Sequence, residues 1–368
     1  MSDHQLPPPP VSLLLRLADD PRRIAHHLAK LGNRMTGGTV PLIFHFLNVG
    51  HGDCTFIEFP SGRLMMVDIN NSKSLPEDDL EALAENKGIS HYAFKYMATQ
   101  GSRSWEHYYE SLLVDPYEYY SANFAGQSIF RYIQTHPDMD HMSGLHRFFW
   151  QERVELQNFW DTAHKKELEE DSFAKNSFAY VDWAVYNCLR LGFGPEDANG
   201  QSSSHKVIKA ERGDTASFWE EDGIQILSPT AELVSACNET ENYNDCSYVV
   251  KISHAGRHVI LPGDAEKASW DSVLSHYPKE DLQCDILKAS HHGRMSGYHE
   301  EAVKAMGPDT VICSVGKKPS TDASSEYARV ANRVLSTRYN GSMKVKIWDD
   351  GDVWIYNHSG DRIATIES

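Results

Sequence analysis

The sequence predicts an α/β protein whose strand ends converge on one polar site. Three observations predict it. Short apolar runs bounded by turn residues recur along the chain, as at 42–47, 54–59 and 64–68. Later runs at 258–261, 284–289 and 310–315 alternate with helix-like stretches at 265–275 and 299–306, the pattern of strands joined by helices. Residues with metal-binding chemistry sit at the ends of these runs: Asp68, the group His136 to His141, Asp264 and His291.

The densest stretch is Thr135-His136-Pro137-Asp138-Met139-Asp140-His141. Two imidazoles and two carboxylates within six residues are costly to crowd together unless a cation compensates them. Pro137 inside the stretch and Gly144 after it indicate a loop. An apolar, β-rich run at 128–135 precedes this loop and a helix at 145–150 follows it.

Composition bounds the rest. The 368 residues support one large domain or two ordinary ones. With 40% hydrophobic and 11% aromatic residues, a substantial core can form. The net charge of −17, from 35 basic and 52 acidic residues, excludes a generic nucleic-acid coat. Local processing of nucleic acid stays open if cations cancel the carboxylates at the site. Six cysteines are scattered with no CxxC pair, which reads as reduced thiols in a cytoplasmic protein. No signal-peptide pattern opens the chain, and no apolar run reaches the roughly 20 residues of a membrane helix.

Residues 1–40 read as a leader, a proline run followed by an amphipathic helix that could dock a protein partner. The runs at 42–47, 54–59 and 64–68 read as a three-stranded meander. Residues 72–127 hold ten aromatics between Tyr92 and Phe124 and read as a mainly helical insertion. A cluster of this kind can stack bases, but it more often forms the insertion's own small core. A strand at 154–160 comes next. A second mainly helical insertion follows at about 161–215, with helices at 165–170 and 180–191 and a flexible break at 200–204. Strands at 224–227, 247–252 and 258–261 lead to Pro262-Gly263-Asp264. After the strand at 284–289 come Ser290-His291-His292-Gly293. The end reads as a helix at 325–335 and strands at 344–348 and 353–356.

Ligands spread over several strand ends and meeting at one sheet edge make a binuclear metal site. Two cations roughly 3.5–4 Å apart clamp a phosphoryl group and lower the pKa of a bridging water. Asp264 is the natural carboxylate to share between them.

Taken together, the HxDxDH at His136–His141, the Gly263-Asp264 step and the His291-His292-Gly293 step resemble the metallo-β-lactamase fold hydrolases. The turn Asn48-Val49-Gly50-His51-Gly52-Asp53-Cys54, the run Leu287-Lys288-Ala289-Ser290-His291-His292-Gly293 and Ser314-Val315-Gly316-Lys317-Lys318 resemble the ComEC/Rec2-like branch. The resemblance covers about 42–71, 128–160 and 224–356. It implies an αββα sandwich, two mixed sheets flanked by helices, over 41–368. It further implies two divalent metal ions. His136 and Asp138 would hold the first, and Asp140 and His141 the second with His291. Asp264 would bridge them, and Asp68 would accept hydrogen bonds behind them. A hydroxide activated by both metals would be the nucleophile.

Three departures refine this. The usual second His of the motif is Asp138 here, as in the ComEC-like branch. No His precedes the strand at 247, where Asn244 or Asp245 stands instead. The first site is therefore oxygen-rich, which moves preference from Zn²⁺ towards Mn²⁺ or Mg²⁺. His51 replaces a Gln and faces substrate together with Lys317. His292 is either the ligand in place of His291 or a proton donor to the leaving group, and Asp53 is a turn residue that supports the site through hydrogen bonds. The implied function is a phosphodiesterase or nuclease acting on single strands or ends. The alternatives are a small-molecule ester hydrolase, for a cyclic nucleotide or phosphocholine-type substrate, and a hydrolase effector acting only within a partner complex such as a phage-defence system.

Overall fold

The computed structural model describes residues 40–99, 103–173, 179–197, 199–314 and 322–368. The expected leader, but for its last residue, and Lys317 lie outside the described residues. Seventeen strands form among the described residues. In chain order they are β1 (Leu42–Phe46), β2 (Thr55–Glu58), β3 (Leu64–Val67), β4 (Arg131–Ile133), β5 (Asn158–Trp160), β6 (Phe193–Glu196), β7 (Ser202–Ser204), β8 (Lys206–Ile208), β9 (Ile224–Ser228), β10 (Val249–His254), β11 (Arg257–Leu261), β12 (Ile286–Lys288), β13 (Thr310–Cys313), β14 (Arg333–Ser336), β15 (Met343–Ile347), β16 (Val353–Tyr356) and β17 (Arg362–Ile366).

Fifteen of them make two sheets, ordered β17-β16-β15-β1-β2-β3-β4-β5-β8 and β14-β13-β12-β11-β10-β9. Alternation decides which way each strand faces. In β15, Met343, Val345 and Ile347 are buried while Lys344 and Lys346 turn outward. The inward faces of the two sheets share one apolar cluster. Phe44, Phe46 and Val345 of the larger sheet meet Ile226, Val250, Val259 and Ile286 of the smaller. The other face of the larger sheet, at Phe56, Met66, Tyr132 and Phe159, is covered by Tyr120, Phe124, Phe148, Trp183 and Tyr186. The other face of the smaller sheet is covered by Trp270, Val273, Val303, Met306 and Tyr327. The result is a mixed α/β sandwich with helical layers outside two facing sheets. No helix among the described residues is long and apolar enough to cross a membrane.

Parallel pairing places the site. β3, β4, β5 and β8 run parallel, as do β11, β12, β13 and β14. Neighbouring carboxyl ends of each set therefore open on one edge. Asp68 follows β3, His136 follows β4, Asp264 follows β11 and His292 follows β12.

The first insertion is helical as expected, with helices Glu77–Lys87, His91–Tyr96, Trp105–Glu110 and Pro116–Asn123. Its aromatics mostly serve packing: Phe94 and Tyr109 form a satellite core, and Tyr120 and Phe124 cover the sheet. Three expectations need correction. The second insertion is mixed, since the helix Ala179–Leu189 is joined by the β6–β7 hairpin and by β8 at the sheet edge. Residues 165–169 are irregular, not helical. His164 is buried there and its Nδ1 accepts from the Lys166 backbone N–H at 3.0 Å, which holds the chain out of a helix. The terminal helix ends at Tyr327, and Arg333–Ser336 instead pairs with β13, as its β-branched and apolar residues prefer.

Asp115 ties the first insertion down. Its Oδ1 accepts from the N–H groups of Tyr117 and Glu118 at 2.9 and 3.2 Å, capping the helix Pro116–Asn123. Its Oδ2 accepts from Asn71 and Lys73 at 2.9 and 2.7 Å, and from Arg147. Burial alone would raise its pKa, but the hydrogen bonds from Lys73, Asn71 and Glu118 outweigh that and hold it below the ordinary range. The folded pKa thus lies below the unfolded value near ~3.9, so this stabilisation is complete above that value and fades as pH falls through the folded pKa. Asp115→Ala should cost roughly 1–2 kcal/mol at pH 7 in urea unfolding, and the difference from wild type should shrink below about pH 4.

Candidate metal centre

The site starts from a constrained loop. Asp68 closes β3 with φ of 55°, a left-handed conformation that a non-glycine residue adopts at a cost. That turn aims its carboxylate across to β4. Oδ1 accepts from the Thr135 N–H at 2.8 Å, and Oδ2 accepts from the Thr135 hydroxyl at 2.7 Å. Oδ2 also lies 2.7 Å from His141 Nδ1. Held by Nδ1, the His141 ring presents Nε2 to the interior. Gly52 lets the Asn48–Asp53 turn close over the loop, since a Cβ there would lie 2.4 Å from the Asp140 carbonyl oxygen. Asp53 N–H donates to that same carbonyl at 3.3 Å.

Asp264 is the centre. It is buried, and four imidazoles surround it. His141 Nε2 lies 3.2 Å from Oδ1. His292 Nε2, His291 Nε2 and His136 Nε2 lie 3.4, 3.5 and 3.9 Å from Oδ2. Asp138 Oδ2 is 3.7 Å from His136 Nε2, and Asp140 Oδ2 is 3.3 Å from His292 Nε2. The expected residues His136, Asp138, Asp140, His141, Asp264 and His291 are therefore all brought together.

Both His291 and His292 adopt positive φ, 47° and 59°, but they point to different surroundings. His292 is fully buried and its Nδ1 faces Asp53 Oδ1 at 3.4 Å. His291 lies at the rim, where its Nε2 accepts from Arg294 at 3.0 Å and its Nδ1 faces Glu266 Oε1 at 3.0 Å and Ser296 Oγ at 2.8 Å. Asn244 and Asp245 are not joined to the cluster by any hydrogen bond or ion pair among the described residues. Asn244 donates to Glu266 at 3.4 Å. Asp245 accepts from Ser269 N–H at 3.0 Å and from Asn242 at 3.1 Å, anchoring the start of the helix Lys267–His276. His51 sits at the mouth, 3.5 Å from Asp140 Oδ2, and accepts from Arg294 at 2.7 Å.

Asp53, expected to support the site from the turn, belongs to the buried group itself, with His141, Asp264 and His292. Several other residues bearing on the site were not read from the sequence. Lys288 is buried behind Asp53, with Nζ 2.5 Å from its Oδ2. Lys166 reaches in from the second insertion, with Nζ 2.5 Å from Asp138 Oδ1. Arg294 spans His51 and His291. The run Lys288-Ala289-Ser290-His291 did hint at a lysine delivered at a strand end. The expected helix at 165–170 concealed Lys166.

The electrostatics are those of crowded, dehydrated charge. Burial opposes ionisation of Asp264, but the facing His141 and His292 outweigh it and hold the carboxyl well below its usual range. Burial would also lower His141 and His292. Asp264 and Asp68 instead raise His141, and Asp264 and Asp53 lift His292 to about 9. Burial, with His292 nearby, lowers His51 to about 4, which keeps its ring neutral and able to accept from Arg294.

The decisive feature is what these atoms lack. His136 Nε2, His141 Nε2, His292 Nδ1 and Nε2, and Asp264 Oδ1 are buried without a hydrogen-bond partner among the described residues. Buried polar atoms are normally satisfied. Imidazole nitrogens and carboxylate oxygens facing one another fit a divalent cation. Ligand atoms of Asp53, His141, Asp264 and His292 lie within 4.8 Å of one another, and a second group joins His51, Asp140 and His292. These buried His and Asp groups could hold a metal ion.

No family model matches the chain. It is 29% identical over 161 residues, 41% of its length, to ComE operon protein 3 of Bacillus subtilis (strain 168). The chain spans a fifth of that relative's length, 20%.

Asp68→Ala would strand the Thr135 donors and free the His141 ring. A loss of roughly 3 kcal/mol is expected in urea unfolding under EDTA. Retention of wild-type stability would show that the carboxylate does not hold the loop.

Proposed function

We propose that the chain is a metal-dependent hydrolase of phosphodiesters, built as a metallo-β-lactamase-type αββα sandwich of the ComEC/Rec2-like branch over residues 41–368. One observation carries the reading: ring nitrogens of His136, His141 and His292 meet Asp264 in a buried space with no hydrogen-bond partners among the described residues. The motif resemblance and the 29% identity to ComE operon protein 3 support the branch.

In this reading His136 and Asp138 hold one divalent cation, and Asp140, His141 and His292 hold a second, with Asp264 shared. His292 takes the place expected for His291, because its Nε2 is buried without a hydrogen-bond partner among the described residues whereas His291 Nε2 already accepts from Arg294. The mixed nitrogen and oxygen donors suit Mn²⁺ or Zn²⁺, with Mg²⁺ as a weaker fit. Bound cations would supply Lewis acidity and a water acidified enough to attack at neutral pH. The chain's own groups do the rest. Asp68 and Asp53 face the Nδ1 atoms of His141 and His292 and keep both Nε2 atoms inward. Arg294 and Lys166 set positive charge at the rim, where phosphate oxygens would be bound. His51 flanks the same mouth, and Lys317 is retained as a candidate substrate contact.

The −17 charge disfavours long duplexes, since phosphate neutralisation dominates such binding. Single strands or ends are the favoured substrates. The same charge favours the second reading, a small ester substrate such as a cyclic nucleotide. A third reading, an effector active only inside a protein complex, would use the leader for docking.

A panel of labelled single-stranded DNA, duplex DNA, RNA and cyclic dinucleotides with Mn²⁺, Mg²⁺ or Zn²⁺ tests this. Single strands should be cut, and Asp264→Ala should lower turnover by more than about a hundredfold, as even a partner behind a metal ligand is worth that much. Cleavage of cyclic dinucleotides alone would sink the nuclease reading. No cleavage with any metal would sink the free enzyme and favour the complex.

A further inference from the structure

The far end of the larger sheet carries a second feature. Over β1 to β5 the outer face is covered by helices, but no side chain of β15, β16 or β17 joins that apolar cluster among the described residues. What this end turns outward is cationic and aromatic. Lys344 lies opposite Tyr356 and Lys346 opposite Trp354 in the β15–β16 register, and Arg362 lies opposite Tyr356 from β17.

Two of these cations, Lys346 and Arg362, are placed on rings. Lys346 Nζ lies 5.4 Å from the Tyr356 ring centre and 6.0 Å from that of Trp348. The Arg362 guanidinium lies 4.9 Å from the Trp354 ring centre. Neither forms an ion pair among the described residues, in a chain with 52 acidic and 35 basic residues. Asp349 and Asp361, next in the chain to Trp348 and Arg362, have other partners: Asp349 meets His254 at 2.9 Å, and Asp361 accepts from Asn357 at 3.3 Å.

A cavity of about 550 Å³ adjoins this strip, lined by Tyr119, Lys344, Lys346, Tyr356 and His358. Tyr119 is a fixed wall: its hydroxyl bonds His45 Nδ1 at 2.7 Å and its ring stacks on Phe56. The cavity backs the turn that delivers His51 and Asp53. Two of its lining residues, Ser342 and Leu112, accept from the Asn48 backbone N–H and the Asn48 side chain at 2.9 and 3.0 Å.

We propose that the outer face of β15–β17, with its adjoining cavity, is a binding platform for single-stranded nucleic acid. On binding, Lys346 and Arg362 would turn from the rings they lie over to neutralise phosphates, and Tyr356 and Trp354 would offer the faces so released to unpaired bases, a sequence-tolerant mode. A duplex keeps its base faces stacked inside and cannot use those rings. The inference rests on the phosphodiester reading for its choice of ligand and adds a second binding region for that substrate.

The test is fluorescence anisotropy of the full chain with Mn²⁺ and a cleavage-resistant, phosphorothioate-linked fifteen-residue oligothymidylate, with oligouridylate and duplex arms. Wild type should bind both single strands better than duplex. Lys346→Gln with Arg362→Gln should flatten the plot of log affinity against log salt by roughly 1.4, about 0.7 for each phosphate no longer neutralised. Tyr356→Leu, which keeps bulk but removes the ring, should weaken binding about fivefold or more. Matching melting temperatures exclude misfolding. Absence of wild-type binding, variants that bind like wild type, or a duplex bound as tightly as the single strand would each overturn the platform. Because the readout is binding, a chain that binds this way but cleaves no phosphodiester sinks the hydrolase reading alone. Cleavage of bis(p-nitrophenyl) phosphate without oligonucleotide binding sinks the platform alone.

Discussion

Everything in this fold answers to the burial of Asp264 among imidazoles. A carboxylate with 2% of its surface exposed is expensive to dehydrate. Here it faces ring nitrogens that are themselves buried and have no hydrogen-bond partner among the described residues. The facing His141 and His292 offset that cost and hold the carboxyl well below its usual range. A divalent cation between carboxylate and rings would take over that role. The cluster is thus held together by its own opposed charges and presents its donors to a cation.

The surrounding architecture makes the cluster tolerable. Two sheets supply it from adjacent carboxyl ends, so no single loop bears all the charge. Strained residues mark the places where direction matters most. Asp68, His291 and His292 all hold positive φ, and such strain persists only where the surroundings over-determine it. At Asp68 those surroundings are the Thr135 and His141 bonds. At His292 they are Asp53 and, behind it, Lys288. The insertions contribute from outside: the first packs the sheet and walls a cavity, and the second sends Lys166 to Asp138.

Much of the fold was legible because its signals are local. The meander over 42–68, the alternation in β15 and β16, and the polar residues after β3, β4, β11 and β12 follow from apolar period and turn chemistry. The site was legible at His136, Asp138, Asp140, His141 and Asp264 as residues that would meet. What sequence could not convey was direction. Two adjacent histidines look alike in a string, yet consecutive left-handed residues send one ring inward and the other to the rim. Asp53 read as a support from the turn and not as a member of the buried group, because its burial depends on Lys288, 235 residues away. Asn244 and Asp245 stood where a ligand was sought, but Asp245 is bound to the start of a helix. Lys166 was hidden by a charged run that reads as helix and is held irregular by buried His164.

The most direct measurement is an anomalous difference map from crystals soaked in Mn²⁺. The account predicts two peaks flanking the Asp264 carboxylate, one beside His136 and Asp138 and the other beside Asp140, His141 and His292. A site that stays empty at saturating Mn²⁺, with its imidazole nitrogens hydrogen-bonded to ordered water, would contradict it.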